Sequence, residues 1–295
     1  MVGWVWLVAC EPVEMVSPEG PVDEPLPAVE DPDADDDGLS DADEASRGTD
    51  PQDADTDDDR LPDGVEVLET DTDPLVPDSD GDGYLDGDEV AEASDPNDPE
   101  DRIYTGGWPY FFDKDALVDP GFAGPPAVAV GRRFGRFVGI DRFSERVDLY
   151  DFAMQGRYVV VSGIGTGDWC GPCELASEWL SGGFDGAALE VRYGEVRAAV
   201  DAGTLSWISV VVRGTSITQA GNVNDAVAWH GRYPNDRIAV LADPDDVIED
   251  AVNRESLSEI VIPTYVVLDE SMRVVVRGGI EEVLEELTRR LAASE

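Results

Sequence analysis

The chain has 295 residues, 66 acidic against 20 basic, and a formal net charge of −46. That length allows one or two globular units, and no internal stretch is long and apolar enough to span a bilayer. More than half of the acidic residues fall between Glu11 and Asp101, where Arg47 and Arg60 are the only bases. A segment of that sign repels phosphate, which excludes nucleic acid as its partner.

Residues 1–10 (MVGWVWLVAC) are apolar and short. Leu7-Val8-Ala9-Cys10 resembles a bacterial lipobox, in which the cysteine becomes the lipidated N-terminus after cleavage. Cys10 is therefore the expected lipid attachment site and the membrane anchor. A chance apolar terminus is the alternative. The run lacks a basic start and is shorter than an ordinary signal peptide, so the true translation start is expected upstream. Glu11 replaces the aspartate that marks inner-membrane retention in the enteric rule, which leaves an outer-membrane destination open. Residues 11–30 form a proline-rich acidic tether.

Residues 31–101 look disordered by composition, yet they contain a repeat. Asp33, Asp35, Asp37, Gly38, Asp41 and Glu44 fit D-x-D-x-D-G-x5-E, and Asp78, Asp80, Asp82, Gly83, Asp86 and Glu89 fit it again. Asp55, Asp57, Asp59, Asp63 and Glu66 stand in the same relative positions, with Arg60 in place of the glycine. Alternate aspartates in a tight loop converge on one point, and the final glutamate can chelate with both oxygens. The backbone carbonyls of Leu39, Leu61 and Tyr84 add a ligand each, and so many hard oxygen donors select calcium. An EF-hand needs a helix on both sides of each loop, and the spacing leaves no room for pairs. Gly48-Thr49-Asp50-Pro51, Asp73-Pro74 and Asp95-Pro96 also interrupt any helix. The pattern resembles a thrombospondin type 3 repeat array of bacterial surface proteins, which implies an irregular calcium-bound segment packed on Leu39, Leu61 and Tyr84. A plain acidic linker is the alternative.

Residues 102–133 carry Trp108-Pro109-Tyr110-Phe111-Phe112 among many Gly and Pro. They read as an irregular lead-in that docks by its aromatics on a C-terminal domain, residues 134–295. In that domain strands are expected over 157–163, 205–213, 238–242, 264–268 and 273–277. Helices are expected over 171–181, 190–202, 224–233, 246–253 and 281–292. The pattern is α/β, with a central mixed sheet and helices on both faces. His230, beside Trp229, reads as a structural histidine.

Trp169-Cys170-Gly171-Pro172-Cys173 sits where the first of these strands hands over to a helix. A helix N-terminus stabilises a thiolate and lowers its pKa, so the pair suits thiol–disulfide exchange, Cys170 attacking and Cys173 resolving. That role requires a reachable Cys170. Half of a zinc site is the first alternative, but the chain has one further cysteine, Cys10, at its far end, and one histidine, His230. A structural disulfide is the second, and so short a ring stabilises little.

Asp168 to Cys173 (DWCGPC) resembles the active site of the thioredoxin superfamily, in its redoxin and extracytoplasmic thiol–disulfide oxidoreductase branch. The Val147–Asp151 stretch (VDLYD) resembles the hairpin that precedes the first core strand there. Ile262-Pro263-Thr264 resembles the cis-proline loop. The resemblance implies that Trp169 shapes the face around the nucleophile, that Pro263 is cis beside the thiols, and that Ile262 and Thr264 flank it where substrate binds. It covers roughly the last half of the chain. One departure is Ile164, where many thioredoxins have a buried acid. Another is the pair Glu174 and Glu178, which oppose a thiolate electrostatically and are expected on an exposed helix face.

The sequence thus points to a membrane-anchored extracytoplasmic thiol–disulfide oxidoreductase on a calcium-binding spacer. Calcium is its only cofactor, with no organic one. Its partners would be protein disulfides or dithiols and an electron-transfer protein, and the Gly-Pro dipeptide resembles the reducing end of the family. Two rivals stand beside it: a calcium-dependent surface interaction protein using the redox fold as scaffold, and a redoxin-type antioxidant peroxidase. Residues 158–170 contain no proline, so the Pro-x-x-x-Thr-x-x-Cys pattern of peroxiredoxins is absent.

Overall fold

Apolar alternation decides the architecture of the C-terminal body. In β3 (Tyr158–Gly165) Val159 and Val161 enter one buried cluster while Val160 and Ile164 enter another. In β4 (Leu205–Arg213) Ile208, Val210 and Val212 part from Trp207 and Val211 in the same way. Such strands are covered on both faces and take the middle of a sheet. The computed structural model describes residues 32–122, 128–183, 186–243, 246–248, 254–256, 259–260 and 262–293.

The main sheet has seven strands, in the order β2 (Arg146–Asp148), β1 (Val138–Ile140), β5 (Ile238–Ala242), β4, β3, β8 (Thr264–Leu268) and β9 (Val274–Gly278). β3–β4 and β4–β5 are parallel, and the other pairs are antiparallel. This is a mixed α/β body, with the β1–β2 hairpin added at one edge. A separate ribbon of β6 (Arg254–Ser256) and β7 (Glu259–Ile260) was not expected from the sequence.

The four longer helices, α4 (Gly171–Leu180), α5 (Ala187–Asp201), α6 (Val223–Arg232) and α7 (Ile280–Leu291), bury their apolar stripes in the cluster that holds Val160 and Ile164. The opposite face is covered by the 3₁₀ turn Leu149–Phe152, by Ile248, and by Tyr104, Trp108 and Val128 of the lead-in. The helix expected over 246–253 lies mostly outside the described residues. α5 begins three residues before the expected start.

The acidic segment is more regular than the sequence suggests. Each loop runs into a short helical stretch: α1 (Asp41–Arg47), α2 (Asp63–Val65) continued by the π-turn Glu66–Thr70, and α3 (Asp86–Glu92). The stretches lie on one side of each loop only, and each stops at a residue with positive φ, Gly48, Asp71 or Ala93. Acidic first turns suit the positive end of the helix dipole, so the carboxylates that define the loops also start these helices. Among the described residues no helix is long and apolar enough to cross a membrane.

Candidate functional site

β3 ends at Gly165 and α4 begins at Gly171, with Pro172 in its first turn and Cys170 as its N-cap residue. Proline is preorganised for that position. Cys170 and Cys173 are joined in a disulfide with Cα atoms 5.3 Å apart. The backbone N–H of Gly165 donates to Cys173 Sγ at 3.4 Å. The Ile262–Pro263 peptide is cis, and Gly163 pairs with Thr264. The register therefore sets Pro263 at the end of β3 that leads to the cysteines. Half-buried Ile262 packs against the cluster that contains both sulfurs, Thr264 is buried, and Ile164 lies in that same cluster.

Two expectations need correction. Cys170 is only 2 % exposed and Cys173 not at all. The closed disulfide is thus recessed beneath a rim that includes Trp169, 37 % exposed, and the exposed Gly171 and Pro172. The Trp169 indole lies over Gly165 and Gly167, where any Cβ would collide with the ring. Glu174, in turn, is not an exposed helix-face charge. It is half-buried and forms an ion pair with Arg232, its Oε1 lying 2.8 Å from Nη2, while Arg232 Nη1 reaches Asp168 at 3.1 Å. One guanidinium from α6 thereby ties together the residues on either side of the dithiol. No spacing in the sequence marks Arg232, because the turn after β3 and the end of α6 meet only in three dimensions. Glu178 is half-buried as well. His230 contacts Asp236 at 3.3 Å and Arg142 at 3.4 Å, and burial lowers its pKa.

The acidic loops repeat one hydrogen-bond pattern. Asp33, Asp55 and Asp78 accept from the N–H groups of Gly38, Arg60 and Gly83. Asp37, Asp59 and Asp82 accept from Leu39, Leu61 and Tyr84. Asp41, Asp63 and Asp86 close the turn on Ala34, Thr56 and Ser79. Oxygens of Asp33, Asp35 and Asp37, of Asp55, Asp57 and Asp59, and of Asp78, Asp80 and Asp82 approach within 4.8 Å of one another in each loop. Leu39, Leu61 and Tyr84 are buried, as are Glu44, Glu66 and Glu89. These repeats match the bacterial TSP3 repeat family over residues 33–54 and 78–99.

TSP3 repeats bind calcium, and the donor set fits that ion. Glu44 and Glu89 have both carboxylate oxygens buried without a hydrogen-bond partner, and Glu66 has one. Buried carboxylates in that state call for a cation. Desolvation, and then the neighbouring carboxylates, push the pKa of Glu44 up to about 7 and those of Glu66 and Glu89 to about 8. Desolvation foremost raises Asp59 to about 7. In the middle loop Arg60 occupies φ +79°, where Gly38 and Gly83 stand in the flanking loops at +105° and +104°. A side chain there is strained.

Consecutive repeats interlock. Asp37 Oδ2 accepts from Gly64 N at 2.7 Å, and Asp59 Oδ2 from Gly87 N at 3.2 Å. A Cβ on Gly64 or Gly87 would lie 2.2 or 2.5 Å from a backbone oxygen of the preceding repeat. The corresponding position of the first repeat holds Ala42. At the other end Asp82 Oδ2 is met by Arg102 Nε at 3.2 Å, so an arginine of the lead-in replaces a further repeat. Cys10 lies outside the described residues.

The chain is also similar in fold to solved structures. A putative thiol:disulfide interchange protein DsbE from Chlorobium tepidum is 18 % identical, with 56 % of this chain and 97 % of that one covered at a TM-score of 0.40. The thioredoxin domain of a thiol-disulfide oxidoreductase from Bacteroides vulgatus gives 18 %, 55 %, 97 % and 0.37. A thiol peroxidase from Chromobacterium violaceum gives 15 %, 57 %, 89 % and 0.36. No curated protein matches the chain.

Proposed function

We propose that this protein is an extracytoplasmic thiol–disulfide oxidoreductase, anchored through Cys10 and carried on a calcium-binding TSP3 spacer. The observation that carries the reading is the Cys170–Cys173 disulfide at the N-terminus of α4, beyond the end of β3 to which the register brings the cis Ile262–Pro263 bond. In the reduced protein the Cys170 thiolate attacks a substrate disulfide, forming a mixed disulfide and releasing one substrate thiolate. The Cys173 thiolate then attacks Cys170 Sγ, releasing the second substrate thiolate and closing the ring. Two electrons pass to the substrate, and an external dithiol protein restores the reduced pair. Trp169 frames the approach, and Ile262, Pro263 and Thr264 line up the substrate chain. Calcium supplies no step of this exchange. It neutralises Asp33, Asp35, Asp37, Asp41 and Glu44, and the corresponding groups of the other two loops.

Trapping with Cys173→Ser in cells tests the redox reading. Mixed disulfides on Cys170 are expected. If none forms, and the pure protein exchanges with neither glutathione nor a protein disulfide, the reading fails. Detergent phase partitioning of wild type against Cys10→Ser tests the anchor.

The recessed Cys170 favours a second reading, a calcium-dependent surface interaction protein with an inert disulfide. Replacing both cysteines by serine would then leave the cellular role intact, whereas removing calcium would abolish it.

A further inference from the structure

Three carboxylates from two repeats meet at one point. Oxygens of Asp59 and Glu66, from the middle loop, and of Asp86, from the third, lie within 4.8 Å of one another, and all three residues are fully buried. Glu66 and Asp86 each keep one oxygen on a donor of the chain, and Asp59 keeps both, its Oδ2 accepting from Gly87 N at 3.2 Å. Leu61 N donates to Asp59 Oδ1 at 2.7 Å, Thr72 Oγ1 to Glu66 Oε1 at 3.1 Å, and Ser79 N to Asp86 Oδ1 at 2.8 Å. The other oxygens of Glu66 and Asp86, Oε2 and Oδ2, are buried without a hydrogen-bond partner. The preceding junction is built differently: Thr56 occupies both oxygens of Asp63, through N at 2.8 Å and Oγ1 at 2.7 Å.

We propose that the calcium ion of the middle loop is ligated across the repeat boundary by Asp86, so that one cation clamps the second repeat to the third. The assignment rests on the calcium reading of the array and deepens it. Orphaned, buried, like-charged oxygens need a hard cation, and the loop that receives this extra ligand is the one strained at Arg60. The middle repeat is also the one outside the two matched TSP3 segments. Two residues before Asp86, Tyr84 is buried in the core of the C-terminal body. The clamp therefore joins the outer repeats to that body through the third.

The test uses the full-length chain. Asp35→Asn with Asp80→Asn weakens the outer loops and leaves the middle one for calorimetric titration with calcium. Adding Asp86→Asn is expected to lower the remaining affinity tenfold or more. It also removes a negative charge from the cluster, so the calcium-free melting temperature should hold or rise. A merely structural Asp86 would do the reverse, lowering the calcium-free melting temperature while leaving affinity unchanged, and that result overturns the assignment. So does a double-variant background that takes up no calcium when wild type does. If wild type itself binds none, the calcium reading falls and takes the clamp with it.

Discussion

Tyr84 donates its phenolic hydrogen to the Trp108 carbonyl at 2.8 Å and lies 3.2 Å from that of Tyr104. The residue whose backbone closes the last acidic loop thus has its side chain in the core of the C-terminal body. Trp108 Nε1 in turn donates to Asp141 at 3.0 Å, and Tyr104 Oη to Asp151 at 2.7 Å. Array, lead-in and body form one chain of buried contacts.

Tyr84→Phe keeps the ring and removes the donor, leaving the Trp108 carbonyl short of a partner while that of Tyr104 still accepts from Gly107 N. The expected cost is about 1–3 kcal/mol, read by urea unfolding with calcium present. Exchange on a small disulfide should be unchanged. A loss below about 0.5 kcal/mol would show that the ring alone makes the joint.

Arg232→Met leaves Glu174 and Asp168 without their cation beside the dithiol. Because these charges are partly solvated, the effect is modest, about 0.2–1 kcal/mol. Alkylation of Cys170 in the reduced protein at pH 7 should slow by roughly two- to fivefold, since unpaired carboxylates disfavour a thiolate. Glu174→Gln should act in the opposite direction. Equal rates in all three proteins would remove Arg232 from any tuning role.

Gly87→Ala forces a Cβ to within 2.5 Å of the Asp59 carbonyl oxygen. We expect a loss of about 1–3 kcal/mol from overpacking, against a few tenths for a surface alanine such as Ala42→Ser. Thermal melts of calcium-loaded protein distinguish the two. A Gly87→Ala protein as stable as wild type would mean that the repeats are not pressed together there.

The raised carboxylates set a pH dependence. In the calcium-free fold Glu44 and Asp59 hold protons up to about pH 7, and Glu66 and Glu89 up to about pH 8. The unfolded chain releases them near pH 4–4.5. The calcium-free array therefore loses stability as pH rises through that window. Calcium replaces the protons, so its affinity should strengthen from pH 6 to 8.5 with measurable proton release. Titration in two buffers of different ionisation enthalpy reads this directly. No proton release at pH 7 would contradict the assigned burial.

Much of the body was legible because near-continuous apolar runs such as residues 207–212 suit a strand buried on both faces. The Cys170–Cys173 pairing and the cis bond before Pro263 were legible because both belong to local sequence. Arg232 and the recess around Cys170 were not, since both arise from which surfaces meet. Local spacing set Asp86 in the third loop, while the structure brings it to Asp59 and Glu66. A pattern read along the chain carries no information on what the next repeat contributes.

The Arg102–Asp82 pair gives the spacer a direction of growth. An added repeat at the outer end would need only a glycine in place of Ala42 to stack beneath Asp37's equivalent. Insertion next to the C-terminal body would have to displace an arginine and unseat Tyr84. Variation in the number of repeats should therefore accumulate at the N-terminal end of the array, leaving the inner joint as a fixed shoulder.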